Sequence, residues 1–212
     1  NATGLSISAG GILAVGEIAV GTSDSSVVNL SANRIVDLRA DDTSNVRAKE
    51  VQLIADNQIG DVADNGFEVI DYFDIDATEV EIRLLEESLS NEDNEIAVRQ
   101  VSSFSRGDLN VLLIETPVQA GSAKVILASA NNGIDLSNTL ITLDDSDTLG
   151  LRLENLDYAP GEPSNRQEVI RLPSLNSLAQ WSLGGLFLEA SADSTNLVTL
   201  ESTGDLLLTQ WS

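Results

Sequence analysis

The chain has 212 residues, with no Cys, no His and no Met, and its 34 acidic residues against 11 basic ones give a net charge of −23. That balance repels nucleic acid and anionic membranes, so neither is expected as a partner. The missing Cys and His exclude disulfides, zinc sites, thiol chemistry and the usual general base near neutral pH.

Apolar residues make up 42% of the chain and aromatics only 4%. Such an aliphatic mixture suits thin stacked layers better than a bulky globular centre. No apolar run reaches the roughly 18–20 residues of a membrane span, so no membrane insertion is expected. The chain does not begin with Met, which points to a processed product or a fragment of a longer protein.

In chain order, Leu5-Ile7-Ala9-Ile12 opens a motif that returns as Val28-Leu30-Ala32-Ile35, Val51-Leu53-Ala55-Ile59 and Phe73-Ile75-Ala77-Val80. The first residues of these copies stand 23, 23 and 22 positions apart. Within each copy apolar residues alternate with polar ones, the period of a strand with one buried face. A fixed period holding several short strands predicts an all-β parallel β-helix, or β-solenoid, with coils of about 23 residues and three short strands per coil.

The first coil reads as strands at 5–9, 12–14 and 18–20, turned at Gly10-Gly11 and Gly16. The second has strands at 28–32, 35–38 and 46–48. The third has them at 51–55, 59–62 and 67–69. The fourth uses 73–77 and 80–84. Ala at the third position of all four copies predicts a tight corner.

The rhythm then breaks. A loop excursion is expected near 86–106, which opens with a polar, acidic run. Alternation is restored at 96–98, 109–113 and 125–127 and continues at 140–143 and 149–153. A second excursion is expected near 155–180, where Pro160, Pro163 and Pro173 lie. Within it, 167–172 reads equally as a short strand or a helical turn. Strands at 183–188, 197–200 and 206–208 close the chain. No linker is visible, so residues 1–212 are expected to form one solenoid domain.

The stretch Glu50-Val51-Gln52-Leu53-Ile54-Ala55-Asp56-Asn57-Gln58-Ile59-Gly60-Asp61 resembles the VxLxAxxxIG coils of filamentous-haemagglutinin-like (haemagglutinin-repeat) proteins. Phe73-Asp74-Ile75-Asp76-Ala77-Thr78 is similar to the LDIDA element that follows such coils, and residues 124–136 look similar again. The resemblance covers residues 1–150 and extends loosely beyond. It implies a right-handed parallel β-helix, export to the bacterial surface or the medium, and a role as adhesin shaft or extracellular structural polymer. The secretion motifs of that family are not seen here.

Acidic turns are the candidate ligand sites. Asp144, Asp145 and Asp147, followed by Gly150, form a candidate calcium loop, because calcium prefers several oxygen ligands. A solvated acidic surface explains them as well. Calcium is thus the one cofactor considered, and no other is expected. Asp74 and Asp76 flank inward-facing Ile75 and share one face, which is compatible with a carboxylate pair for glycoside hydrolysis. No aromatic platform for a sugar accompanies them, and the chain is read as non-enzymatic. Trp181 and Trp211 are read as end caps or interface anchors.

Both ends of the pattern are strand-like and carry no obvious cap. Leu5, Ile7, Ile12 and Val15 at one end, and Leu206, Leu208 and Trp211 at the other, are the expected assembly residues. They point to end-to-end self-association into a polymer, or to continuation of a longer solenoid. The alternative is an adhesin module whose excursions hold a cell-surface glycan or protein.

Overall fold

A computed structural model describes residues 3–20, 25–39, 43–62, 69–85, 94–101, 107–117, 123–130, 132–143, 147–154, 169–172, 185–190 and 199–202. Every regular element among them is a β-strand. Seventeen strands join one sheet of parallel pairs, and the remaining two form a small antiparallel pair. The chain is a β-solenoid. The reason lies in the alternation: one coil exposes its whole inward row, and only a coil above and a coil below can cover it.

The first coil holds β1 (Thr3–Ser8), β2 (Ile12–Val15) and β3 (Ile18–Ala19). The second holds β4 (Ser26–Asp37), which bends through two faces, and β5 (Val46–Arg47). The third holds β6 (Glu50–Ile59), the hairpin strands β7 (Asp61–Val62) and β8 (Val69–Asp71), and β9 (Phe73–Asp76). Next come β10 (Glu79–Leu84), β11 (Glu95–Gln100), β12 (Leu109–Glu115) and β13 (Lys124–Ala130). The rest are β14 (Ile134–Asp135), β15 (Leu140–Thr142), β16 (Thr148–Glu154), β17 (Val169–Leu172), β18 (Gly185–Ala190) and β19 (Thr199–Ser202).

Three inward columns result. On the first face Leu5 stacks on Val28, Val28 on Val51, Val51 on Val80 and Val80 on Val111. On the second, Leu13, Ile35, Ile59, Ile96, Val125, Leu149 and Leu186 follow one another. On the third, Ile18, Val46 and Ile75 lead to a polar step, Gln100 over Ser129. Gln100 is buried and Nε2 donates to Ala77 O at 2.6 Å, while Ser129 Oγ donates to Gln100 Oε1 at 3.0 Å. Stacking lets a buried amide find its partners on the coils beside it.

The structure corrects several sequence expectations. Ile12 is 61% exposed, and Leu13 takes its place in the column. Alternation runs unbroken from Leu5 through Leu13 to Val15; the second coil instead rounds its corner with one residue fewer, at the bulge between Ala32 and Arg34, so the seven-residue step from Val28 to Ile35 does not carry over to Ile12. The fourth motif copy, beginning at Phe73, stacks elsewhere than on Val51-Leu53-Ala55. Phe73–Asp76 belongs to the third face, on β5 and under β11. The strand stacked on β6 is β10, so Val80 follows Val51 after 29 residues and the Ala corner ladder ends in Leu84. Gly10 and Gly11 are absent from the positive-φ glycines, so that corner needs no left-handed residue.

Within the excursion expected near 86–106 the alternation at 96–98 is strand β11, one of the most buried, and 155–180 contains β17, which makes Val169–Leu172 a strand. The insertion that lengthens the third coil is instead the β7–β8 hairpin. It starts at Gly60, whose φ is 72°. A Cβ there would stand 2.4 Å from Ala97 O. The hairpin therefore lies flat on the outside of the sheet. Val62, Tyr72, Ala97, Ile126 and Ala128 form a second apolar cluster beneath it, with Val69 packed alongside. This explains why β11 is buried along its whole length, inward and outward residues alike.

Candidate functional site

The first coil is the part of the fold whose described surface differs most from the rest. Among the described residues, β1 pairs only with β4, β2 only with β4 and β3 only with β5. Each strand thus has one laddered edge among the described residues. The inward side chains Leu5, Ile7, Leu13 and Ile18 are half-buried, whereas Val28, Leu30, Ile35 and Val46 one coil below are fully buried. Closing the column over them would contribute about 1 kcal/mol per side chain, half the value of full burial.

Of the expected assembly residues, Leu5 and Ile7 lie on this edge. Val15 is already closed into the column at 4% exposure, and Ile12 points outward. Leu206, Leu208 and Trp211 lie outside the described residues, as does Trp181. At the far end, β18 pairs only with β16 and β19 only with β17 among the described residues. Leu186, which continues the second-face column from Leu149, is 38% exposed there.

The candidate calcium loop has one described carboxylate. Asp147 is buried, and both its oxygens serve the fold. Thr116 Oγ1 donates to Oδ2 at 2.5 Å and Ala123 N donates to Oδ1 at 2.7 Å. The carboxylate thereby satisfies backbone and hydroxyl donors at a corner between coils. Asp144 and Asp145 lie outside the described residues. No cluster of three or more metal-ligating side chains occurs among the described residues.

Asp74 and Asp76 do share the outer face of β9, but their surroundings diverge. Asp74 has no solvent exposure, and Arg99 grips it with both arms. Nε donates to Oδ1 and Nη2 to Oδ2, each at 2.7 Å. Tyr72 lies over the Arg99 guanidinium, 4.8 Å from ring centroid to Cζ, and accepts from Arg152 Nη1 at 3.2 Å. A carboxylate buried and held in this way is not presented to a saccharide. Asp76 sits at the rim and accepts from Arg47 Nε at 2.8 Å.

Sequence reasoning missed Arg99 and Tyr72, because the hairpin that brings them together leaves no periodic signal. It also missed Asn45. This buried side chain donates through Nδ2 to Val15 O at 3.0 Å and to Asp37 Oδ1 at 2.6 Å, and Oδ1 accepts from Asp74 N at 2.8 Å. One amide therefore ties three coils together.

A shallow depression of about 380 Å³ lies beside the first two coils, lined by Glu17, Arg39, Thr43, Ser44, Arg47 and Val101. Its arginines are engaged within the chain, Arg39 with Glu17 at 3.8 Å and Ser44 O at 3.0 Å, and Arg47 with Asp76. No protein-family model, no curated protein and no solved structure matches this chain. The reading of its role therefore rests on its own geometry.

Proposed function

We propose that this chain is a non-catalytic structural rod, an exported β-solenoid segment serving as the shaft of a bacterial surface adhesin or filament. One observation carries the reading: the in-register parallel ladder that links coil to coil around a single aliphatic column. Each coil is bound to the next by rows of backbone hydrogen bonds, so a pull along the axis is shared by all three faces. The outer surface is strongly acidic, which keeps a long β-structure soluble and discourages side-by-side sheet pairing. The resemblance of residues 50–61 and 73–78 to haemagglutinin-repeat coils supports export to the surface.

Two measurements test this. Small-angle scattering of the purified chain is expected to give an elongated cross-section profile. Antibodies against the chain are expected to label intact, unpermeabilised cells of the source organism. A compact scattering profile, or labelling only after permeabilisation, overturns the proposal.

A further inference from the structure

We infer that Asn132 is a latent modification site. Ring closure between its side chain and Gly133 N, which converts it to aspartate or isoaspartate, is held off by Asp108 and proceeds when the step between neighbouring coils opens. The site belongs to the coil stack itself, whatever role the chain serves.

Asn132 precedes Gly133. An asparagine followed by glycine is the pairing most open to this chemistry, because no Cβ keeps the following nitrogen away from the side-chain carbon. Replacing the glycine would remove the hazard, but the fold requires it. A Cβ at position 133 would stand 2.4 Å from Val169 O and 2.7 Å from Asp108 Oδ1. Coils on both sides therefore close on Gly133. The requirement is one of space, since Gly133 is absent from the positive-φ glycines.

The same neighbours hold the backbone in place. Gly133 N donates to Asp108 Oδ1 at 2.9 Å, and Gly133 O accepts from Leu109 N at 2.9 Å. Arg171, from the coil on the other side, donates through Nη1 to Asp108 Oδ2 and fixes the carboxylate. Ile134 is fully buried between Leu109 and Ile170, and Asn132 is only 7% exposed.

In the reaction, Gly133 N gives its proton to a solvent base and attacks Cγ of Asn132. A C–N bond forms, the Cγ–Nδ2 bond breaks, and Nδ2 takes up a proton and leaves as ammonia. Water then opens the succinimide ring at either carbonyl, leaving aspartate or isoaspartate at position 132. The balance is water in and ammonia out, with no change of oxidation state. Ring closure needs Gly133 N turned from Asp108 towards the preceding side chain, and it needs solvent. The hydrogen bonds to Asp108 and Leu109 must break first, which opens the coil step. The product places a new negative charge at a buried position, and isoaspartate also lengthens the backbone by one methylene. Each opening that reacts is thereby recorded irreversibly.

Peptide mapping by mass spectrometry tests this on the full chain, incubated at mildly alkaline pH with and without guanidinium chloride. Trypsin releases residues 125–152 as one peptide containing Asn132. The other Asn-Gly pair, Asn65-Gly66, lies outside the described residues, falls in peptide 50–83 and serves as the reference in denaturant. Conversion is read as the mass change from amide to acid. In denaturant Asn132 should convert as fast as Asn65, and in the folded chain at least about a hundredfold more slowly. Asp108→Ala removes the acceptor and should speed conversion in the folded chain about tenfold, with the rate in denaturant unchanged. Asp108→Asn keeps an oxygen that accepts from Gly133 N and should stay close to the parent. Circular dichroism checks that each variant is folded.

Equal rates with and without denaturant overturn the guard, as does a folded Asp108→Ala chain that converts no faster than the parent. Equal acceleration in the two variants overturns the role of the hydrogen bond. If Asp108→Ala fails to fold, the comparison of the parent chain with and without denaturant decides alone. No conversion at Asn132 in denaturant removes the site itself.

Discussion

At the residue scale, the Asp74–Arg99 pair shows how the outside of a solenoid acquires a second buried layer. Arg99 follows Asp74 in the ladder of stacked positions, so the two side chains meet directly across one inter-coil step. The fully covered carboxylate keeps its charge partner Arg99, whose guanidinium lies against the Tyr72 ring, while the Asp74 backbone N donates to Asn45 Oδ1. Breaking such a pair leaves an uncompensated charge, whereas replacing both members by apolar side chains is often close to neutral. Asp74→Ala is therefore expected to destabilise the chain by about 3–5 kcal/mol, while Asp74→Leu combined with Arg99→Met recovers most of the loss. Urea unfolding followed by circular dichroism checks both. Equal losses in the single and double variants would show that the pair does not act as a unit.

At the scale of elements, the β7–β8 hairpin converts a one-sided sheet into a two-sided one. Val62 N donates to Glu95 Oε2 at 3.2 Å, which pins the start of the hairpin to the coil below, and Gln58 Nε2 donates to Gly60 O at 2.8 Å within its own coil. Gly60 is the pivot. Its backbone lies in the left-handed region, and a Cβ would collide with the Ala97 carbonyl. Gly60→Ala is expected to lift the hairpin and cost about 1–3 kcal/mol. Hydrogen exchange should then accelerate at 61–71 and along the outward side of β11, while β1–β5 keep their rates. Unchanged protection at 61–71 would mean that the hairpin is held from elsewhere.

At the scale of the whole molecule, stability should vary along the axis. A solenoid's coils contact only their neighbours, so a coil with one neighbour opens more readily than a coil with two. The strands β6, β11 and β13 are covered from above and below, and β11 and β13 from outside as well. Amide exchange is expected to be slowest there and fastest in β1–β3. The high negative charge adds self-repulsion, so moderate salt should slow exchange throughout. A flat protection profile would indicate a single cooperative unit, or a first coil already closed by a partner.

The sequence by itself determined the coil. Alternating aliphatics at a 23-residue spacing over Leu5–Ile59 admit one economical solution, since each half-buried strand must be covered by its like. The fold class and the first three levels of the Val28 and Leu30 columns were legible for that reason. Tertiary structure alone decided where the period breaks. An insertion such as the hairpin changes the spacing from 23 to 29 residues without changing the alternation, so Phe73 mimics a new coil although it completes the old one. Corners have the same effect on a smaller scale: the bulge between Ala32 and Arg34 makes Ile35 inward seven residues after Val28, whereas unbroken alternation in the first coil makes Leu13, not Ile12, its partner. The outer layer of Asp74, Arg99 and Tyr72 was invisible for a related reason. Polar side chains on an outward face look solvated in any linear reading, and only the packed structure shows Asp74, Arg99 and Tyr72 buried.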